Sequence, residues 1–359
     1  MLTPEPSTVA VIVGRDLIGD ALMKLPFVRA LRNAFPKAEI NWITSQGPTA
    51  FAGPLREPTK TLIDKIYEQP DWLSVWNGFT KKSGFKDMLQ QLFFYSRVPE
   101  AQARAPFFDL VIDTRNRWRE AIFARRIPHK LFIAPAMYFL FSEERPSFLG
   151  SRPTHMCDQL IELITLASNA HPISTGALPV GEAEMEKARG LLPPGRIYVG
   201  LAPGAGDLNK AWPRFKFEKL AQLQAEKGRV PVFILGPLEL NWYDELKATV
   251  PSAKFPLQEY GMWGGAAITL EHTLAVGRLL DVAVANDSGV GHMLAAADCP
   301  LISLFGPTSP DKLAPRVTNG IIIRAQNFGS SLIRKITWEA VNDAIDQLLA
   351  KKKGVPSPA

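Results

Sequence analysis

Hydrophobic positions in the 359-residue chain follow two alternating rhythms. Residues 9–13 form an unbroken, β-branched apolar run closed by Gly14, the pattern of a strand buried on both faces of a parallel sheet. Beyond it Ile18, Leu22, Leu25, Val28 and Leu31 recur every three or four residues, which predicts a helix with one apolar face. Pro26 within that pattern predicts a kink or an early stop. Residues 40–44 predict the next strand and complete a β-α-β unit, and residues 107–112 predict another, ending at Asp113. Between them, from about 54 to 104, the chain is irregular and aromatic, with Trp72, Trp76, Phe79, Phe93, Phe94 and Tyr95.

From about 169 to 195 Pro, Gly, Ser and charged residues surround one short helical stretch, the pattern of an interdomain linker. A second series follows: strand 197–202, helix 215–227, strand 230–235, helix 270–280, strand 282–285, helix 291–297 and strand 301–305. A last helix at 338–351 is assignable to either half. Strict alternation of strands and helices predicts an α/β architecture of two doubly wound halves with a cleft between them. The expected domains are 1–175 and 190–335, followed by a C-terminal helix and tail, 336–359.

Composition narrows the function classes. The net charge is +6, with a pI near 9.2, but Lys and Arg run three together only at Lys351, Lys352 and Lys353. Such a balance favours acidic ligands or an anionic surface and does not indicate nucleic acid. Cys157 and Cys299 are too far apart in sequence for a metal knuckle, and the five histidines show no ligand spacing, so neither a disulfide framework nor a metal site is expected. The N-terminus lacks an export signal, and the longest apolar run, 131–141, is too short to cross a bilayer. A cytoplasmic protein is expected.

In open α/β sheets ligands bind beyond the carboxyl ends of strands, where glycine turns leave helix N-terminal amides free for anions. Four segments fall there. In the first, residues 15–20, Asp20 is either a general base for a hydroxyl or a helix cap. The second, residues 203–213, joins Gly204 to Lys210, a mobile cation for a phosphate, and ends in Trp212-Pro213, a possible helix start. The third, residues 286–292, offers Asp287, Ser288, Gly289 and His292 at a helix start, a candidate anion site or a routine cap. The fourth is the turn 305–310. Glu239 is a candidate acceptor for ribose hydroxyls, and Arg115 and Arg117 either clamp an acidic acceptor or decorate a solvated helix.

Taken in order, these motifs resemble the family 9 glycosyltransferases, the heptosyltransferases of lipopolysaccharide core assembly. The match runs through Gly19-Asp20, Leu25-Pro26, Arg29-Ala30-Leu31 and Phe35-Pro36, then residues 109–113. It continues in Pro203-Gly204, Lys210-x-Trp212-Pro213, residues 286–289 with His292, and residues 304–308. The resemblance implies a GT-B fold of two Rossmann-like domains, acceptor held mainly by the first and nucleotide sugar by the second. It implies inverting, metal-independent transfer, usually of heptose from ADP-heptose, to a glycan or lipid-linked glycan acceptor, with no cofactor. Asp20 matches the family's catalytic Asp and Lys210 its donor-phosphate lysine. Asp287, Ser288, Gly289 and His292 match the donor-pyrophosphate loop, Gly204 belongs to the donor segment, and Glu239 lies near the ribose contact. Gly19, Arg115 and Arg117 fall on the acceptor side. Two departures stand out: Ala205-Gly206-Asp207 replaces a small hydroxyl residue, and Arg115-Asn116 stands where Gln-Gly is common. Asp207 would repel a diphosphate unless it points away. The basic balance suits peripheral contact with the inner face of the cytoplasmic membrane. The alternatives are another GT-B sugar-nucleotide enzyme, with a different donor or epimerase chemistry, and a non-catalytic glycan-binding module.

Overall fold

The computed structural model describes residues 5–74, 105–147, 151–168, 172, 174–264 and 269–353. The chain divides into two compact units, Met1–Ser174 and Thr175–Ala359.

The first unit is built on a five-stranded parallel sheet. Its strands are β1 (Thr8–Val13), β2 (Glu39–Thr44), β3 (Lys65–Glu68), β4 (Phe108–Asp113) and β5 (His129–Ile133), in the order β3-β2-β1-β4-β5. β1 is central, with Val9 opposite both Ile40 and Leu110. Residues 9–13 are fully buried because elements cover both faces of the sheet, which is why the run shows no polar alternation. On one face α2 (Trp118–Ala124) seals Ala10, Ile12 and Val111 with Ala121 and Ala124. The helix α1 (Ile18–Ala34) packs against α3 (Met156–Ser168), where the Cys157 thiol reaches the Met23 carbonyl at 2.9 Å. α1 continues past Pro26 to Ala34, so the early stop is not seen. Pro26 is buried with its neighbours Leu25 and Phe27, and that packing outweighs the one backbone hydrogen bond proline removes.

Strand β3 lies in the stretch that reads as irregular, because four residues, KIYE, are too few and too polar to set a period. Trp72 stands edge-on to Tyr67 of that strand, 6.1 Å between ring centres. Trp76, Phe79, Phe93, Phe94 and Tyr95 lie outside the described residues.

The second unit carries β6 (Tyr198–Ala202), β7 (Val230–Phe233), β8 (Val282–Asn286), β9 (Leu301–Phe305) and β10 (Gly320–Arg324), all parallel, in the order β10-β9-β8-β6-β7. Its helices of seven residues or more, among the described residues, are α4 (Glu182–Leu191), α5 (Arg214–Glu226), α6 (Tyr243–Thr249), α7 (Pro256–Gly264), α8 (Leu270–Leu279), α9 (Gly289–Ala296) and α10 (Trp338–Lys353). α5 and α10 cover one face; α4, α8 and α9 cover the other. The terminal helix thus belongs to this unit, burying Val341, Ile345 and Leu348 beside Phe217 and Val284. Much of the expected linker belongs here too. The Leu178 amide donates to the Ala296 carbonyl at 2.8 Å, and α4 contributes Met185 and Ala188 to the core.

The two sheets are threaded differently. In the first, strand order reverses direction between β1 and β4; in the second, numbered from its own first strand, the order is 2-1-3-4-5 and the reversal lies between β6 and β8. At such a switch point the adjoining loops diverge to opposite faces and leave a crevice. Residues 14–17 and 114–117 emerge at the first, and residues 203–213 and 287–288 at the second.

Candidate functional site

The second unit gathers its candidate residues at the carboxyl ends of β6, β7, β8 and β9. Asn286, the last residue of β8, stitches two loops together: its Oδ1 accepts from the Trp212 amide at 3.1 Å and its Nδ2 donates to the Pro203 carbonyl at 2.8 Å. Trp212 itself is core, with Nε1 donating to the Ile336 carbonyl at 3.0 Å and its ring edge-on to Phe217. Pro213 then fixes the start of α5, so the Trp-Pro pair anchors the loop and leaves Lys210 forward of it.

Lys210 Nζ donates to Asp287 Oδ2 at 2.8 Å, and Thr308 Oγ donates to the same oxygen at 2.7 Å. Three of the four sequence motifs therefore converge on one carboxylate. Thr308 belongs to the fourth motif, whose turn composition gives no sign of which side chain faces inward. Asp207 does not approach this cluster's cation; it caps the short turn Leu208–Lys210, accepting from the Asn209 amide at 2.9 Å.

The chain enters α9 through Ser288, which has extended backbone angles and makes no side-chain cap bond. Its hydroxyl is buried without a hydrogen-bond partner. A buried hydroxyl left unpaired beside the free amides of a helix start is a donor awaiting an acceptor. Space is available, since a side chain on Gly289 would meet nothing within 4 Å, whereas one on Gly291 would lie 3.2 Å from the Asn286 carbonyl. His292 sits half-buried in the first turn of α9.

Glu239 follows β7 and is buried, its carboxylate lodged against Gly204 and Gly236. A Cβ built on Gly204 would lie 2.8 Å from Glu239 Oε2, and one on Gly236 would lie 2.7 Å from it. The sequence reading gave Gly204 to backbone approach by a phosphate; the structure gives its missing side chain to the Glu239 carboxylate. Burial pushes that carboxyl above its usual range, against the opposing amides of Gly236 and of Glu239 itself.

In the first unit Asp20 is the third residue of α1, half-exposed, and not its cap, a position Leu17 occupies without a side-chain bond. No hydrogen bond or ion pair joins its carboxylate to the described residues. Gly19 leaves open space beside it. Arg115 is otherwise engaged: Nε and Nη2 grip Asp113 at 2.7 and 2.9 Å, and Glu120 Oε2 stands 3.4 Å from Nε. Burial works against its charge, yet Asp113 outweighs that and holds the guanidinium above its usual range. Freeing Arg115 for an acceptor would break a buried pair, a cost of roughly 3–5 kcal/mol. Arg117 is exposed and only loosely held by Glu120 at 3.3 Å. Sequence reasoning passed over Asp16, which is buried and bonded to Lys24, Trp42 and Thr49. Its only sign was a charged residue next to a strand end.

Residues 101–337 match the sequence model of Glycosyltransferase family 9 (heptosyltransferase). The chain belongs to this family. It is a glycosyltransferase with two parallel α/β sheets. Lipopolysaccharide heptosyltransferase 3 of Escherichia coli (strain K12) is 24% identical over 358 residues, 95% of this chain and 96% of that protein. Among solved structures, the family 9 glycosyl transferase from Veillonella parvula DSM 2008 superposes with a TM-score of 0.67 at 19% identity, covering 96% of this chain and 98% of that one. The E. coli heptosyltransferase WaaC with ADP gives 0.63 at 19% identity, over 95% and 99%. These structures share the fold. No group of three or more His, Cys, Asp or Glu placed to hold a metal ion occurs among the described residues, and no helix among them is long and apolar enough to cross a membrane.

Proposed function

We propose that the protein is an inverting heptosyltransferase of lipopolysaccharide core assembly that uses ADP-heptose. The observation that carries this reading is that the loops at the strand carboxyl ends of the second unit hold a lysine on Asp287, a buried Ser288 hydroxyl without a hydrogen-bond partner at the start of α9, and a buried Glu239 carboxylate against Gly204. Lys210 and the amides from Gly289 to Gly291 would take the diphosphate, with Ser288 donating to a phosphate oxygen. Glu239 would accept from the ribose hydroxyls. Asp287, shared between Lys210 and Thr308, holds the ammonium in place, and His292 borders the same helix start. The relatives named for heptose transfer, and the solved heptosyltransferase with ADP, support the donor class.

Asp20 is the general base. It takes the proton of the acceptor hydroxyl as the new O–C bond forms at the anomeric carbon, and the bond from that carbon to the β-phosphate oxygen breaks with its electron pair leaving on ADP. The leaving diphosphate is stabilised by Lys210 and the helix amides, so the reaction proceeds without a metal ion. Gly19 leaves room for the acceptor and Arg117 offers a cation to its phosphates. Incubation with ADP-heptose and a heptose-deficient core acceptor tests the reading: ADP release should be unaffected by EDTA, and UDP- or GDP-sugars should not replace the donor. No release in any donor and acceptor combination removes the enzyme reading, and abolition by EDTA removes the metal-free mechanism.

The acceptor is lipid-linked, and the first unit offers a surface for its membrane. After β5, Met137, Tyr138 and Phe139 take consecutive left-handed backbone angles; Phe139 is buried while Tyr138 is 86% exposed beside exposed Met137 and Leu140. Arg145 donates to the Leu140 carbonyl at 3.0 Å and Arg125 to the Phe141 carbonyl at 2.9 Å, placing cations around the apolar tip. Contact with anionic vesicles at low salt, lost at high salt, is the expected behaviour in co-sedimentation. Failure to bind at either salt ends this part of the reading.

A further inference from the structure

Asp16 is a fully buried carboxylate four residues before Asp20, and its three donors come from three places in the chain. Trp42 Nε1 of β2 lies 3.1 Å from Oδ2 and Thr49 Oγ 3.2 Å from the same oxygen, while Lys24 Nζ of α1 lies 2.5 Å from Oδ1. The Asp16 carbonyl also accepts from the Ala50 amide at 2.9 Å. Lys24 is two helical turns beyond Asp16, and its side chain is only 14% exposed. Helix side chains lean toward the N-terminus, so a lysine at this position naturally reaches back along α1. Its nearest acidic neighbour on that helix face is Asp20, four residues earlier. Yet the ammonium passes it and pairs with Asp16, and Asp20 keeps no partner among the described residues.

We infer that Asp16 is a positioning residue for the transfer reaction: it holds the Lys24 ammonium away from Asp20 and so keeps that carboxylate open to the acceptor hydroxyl. The competition is decided by burial. An exposed pair one turn apart on a helix is worth little, whereas removing one partner of a buried pair is strongly destabilising, and Asp16 is fully buried. A cation near a helix start is also disfavoured by the helix dipole unless an anion accompanies it. With Asp16 neutral, Lys24 loses its buried partner and turns to Asp20. The ammonium then occupies an oxygen that must accept the substrate proton, and the base is weakened.

This inference rests on Asp20 as the base, and a set of four variants separates the two claims. Asp16→Asn keeps the shape and an acceptor for Trp42 and Thr49 but releases Lys24; kcat should fall at least ~10-fold with donor KM within about 2-fold. The double variant Asp16→Asn/Lys24→Met removes the cation as well and should recover kcat to within about 3-fold of the parent. Lys24→Met alone leaves Asp16 buried without its counter-ion and should show a lowered Tm. Asp20→Ala is measured beside them, and kcat is normalised to the folded fraction from thermal melts. Rescue by the second substitution is the supporting result, since a merely structural loss at Asp16 is deepened, not repaired, by removing its partner. Parental kcat in Asp16→Asn, or a double variant no faster than Asp16→Asn, overturns the inference while Asp20 keeps its role if Asp20→Ala is inactive. Parental kcat in Asp20→Ala overturns both.

Discussion

Replacing Gly204 by Ala should weaken ADP binding without unfolding the protein. The added Cβ would stand 2.8 Å from Glu239 Oε2, 3.0 Å from Cδ and 3.2 Å from Oε1, well inside the 3.5–4.0 Å at which such atoms rest. Gly204 is not among the glycines with a left-handed φ, so alanine meets no such backbone strain there and gains roughly 0.4–1 kcal/mol through the unfolded chain. The carboxylate is the movable party and must leave its niche. A ribose hydrogen-bonded to a charged acceptor then loses about 1.5–3 kcal/mol, or roughly 10- to 150-fold in affinity. Gly236→Ala, whose Cβ would lie 2.7 Å from the same oxygen, should behave alike, whereas Gly206→Ala meets nothing within 4 Å and should bind as the parent does. Isothermal titration with ADP and, separately, with pyrophosphate resolves the contribution, because pyrophosphate carries no ribose and should bind all four proteins equally. Parental ADP affinity in both the Gly204 and Gly236 variants would refute the placement of Glu239 on the nucleoside.

Three further outcomes are expected. Asp20→Ala should lower kcat by at least ~10²-fold with ADP affinity unchanged, measured by ADP release and calorimetry. Lys210→Ala should weaken ADP and pyrophosphate alike by roughly 10- to 150-fold, so an effect confined to ADP contradicts its phosphate role. Asp109 is held well below the usual carboxylate range by Lys130 at 2.6 Å and by the Ser7 hydroxyl and amide at 2.5 and 2.8 Å. A depressed folded-state value means stability that is present above the unfolded value of about 3.8 and lost as pH falls below it toward the folded one. Asp109→Asn should therefore lower Tm at pH 7 by roughly 2–6 °C, with the gap from the parent narrowing as the buffer is taken below pH 4. A constant gap across that range counts against the assignment.

The sequence made the buried strands legible because helices cover both sheet faces and leave β1, β4, β6, β8 and β9 as continuous apolar runs. The edge strands were harder. β3 has only four residues and none buried, β10 buries only Ile323, and β5 is continuous with the apolar segment that becomes the left-handed turn. Strand order was not legible at all, since β7 and β8 give no sign that one lies to the left of β6 and the other to its right. For the site, each motif marked a strand end correctly in sequence, but only coordinates show that Asp287 unites three of them. The niche for Glu239 and the burial of Asp16 were invisible because both depend on what a neighbouring loop lacks or supplies. For Arg115 the sequence shows the charge and not the Asp113 carboxylate that grips it.

The placement of α10 bears on how the donor-binding half comes into being. Val341, Ile345 and Leu348 finish one side of the core that also contains Val199, Leu201 and Val284. During synthesis all five strands of that sheet leave the ribosome before the segment that shields them, so the nascent half carries a bare apolar flank until its final turns emerge. A premature stop codon near 337 would spare every residue assigned to ADP and still yield a chain suited to chaperones and proteases.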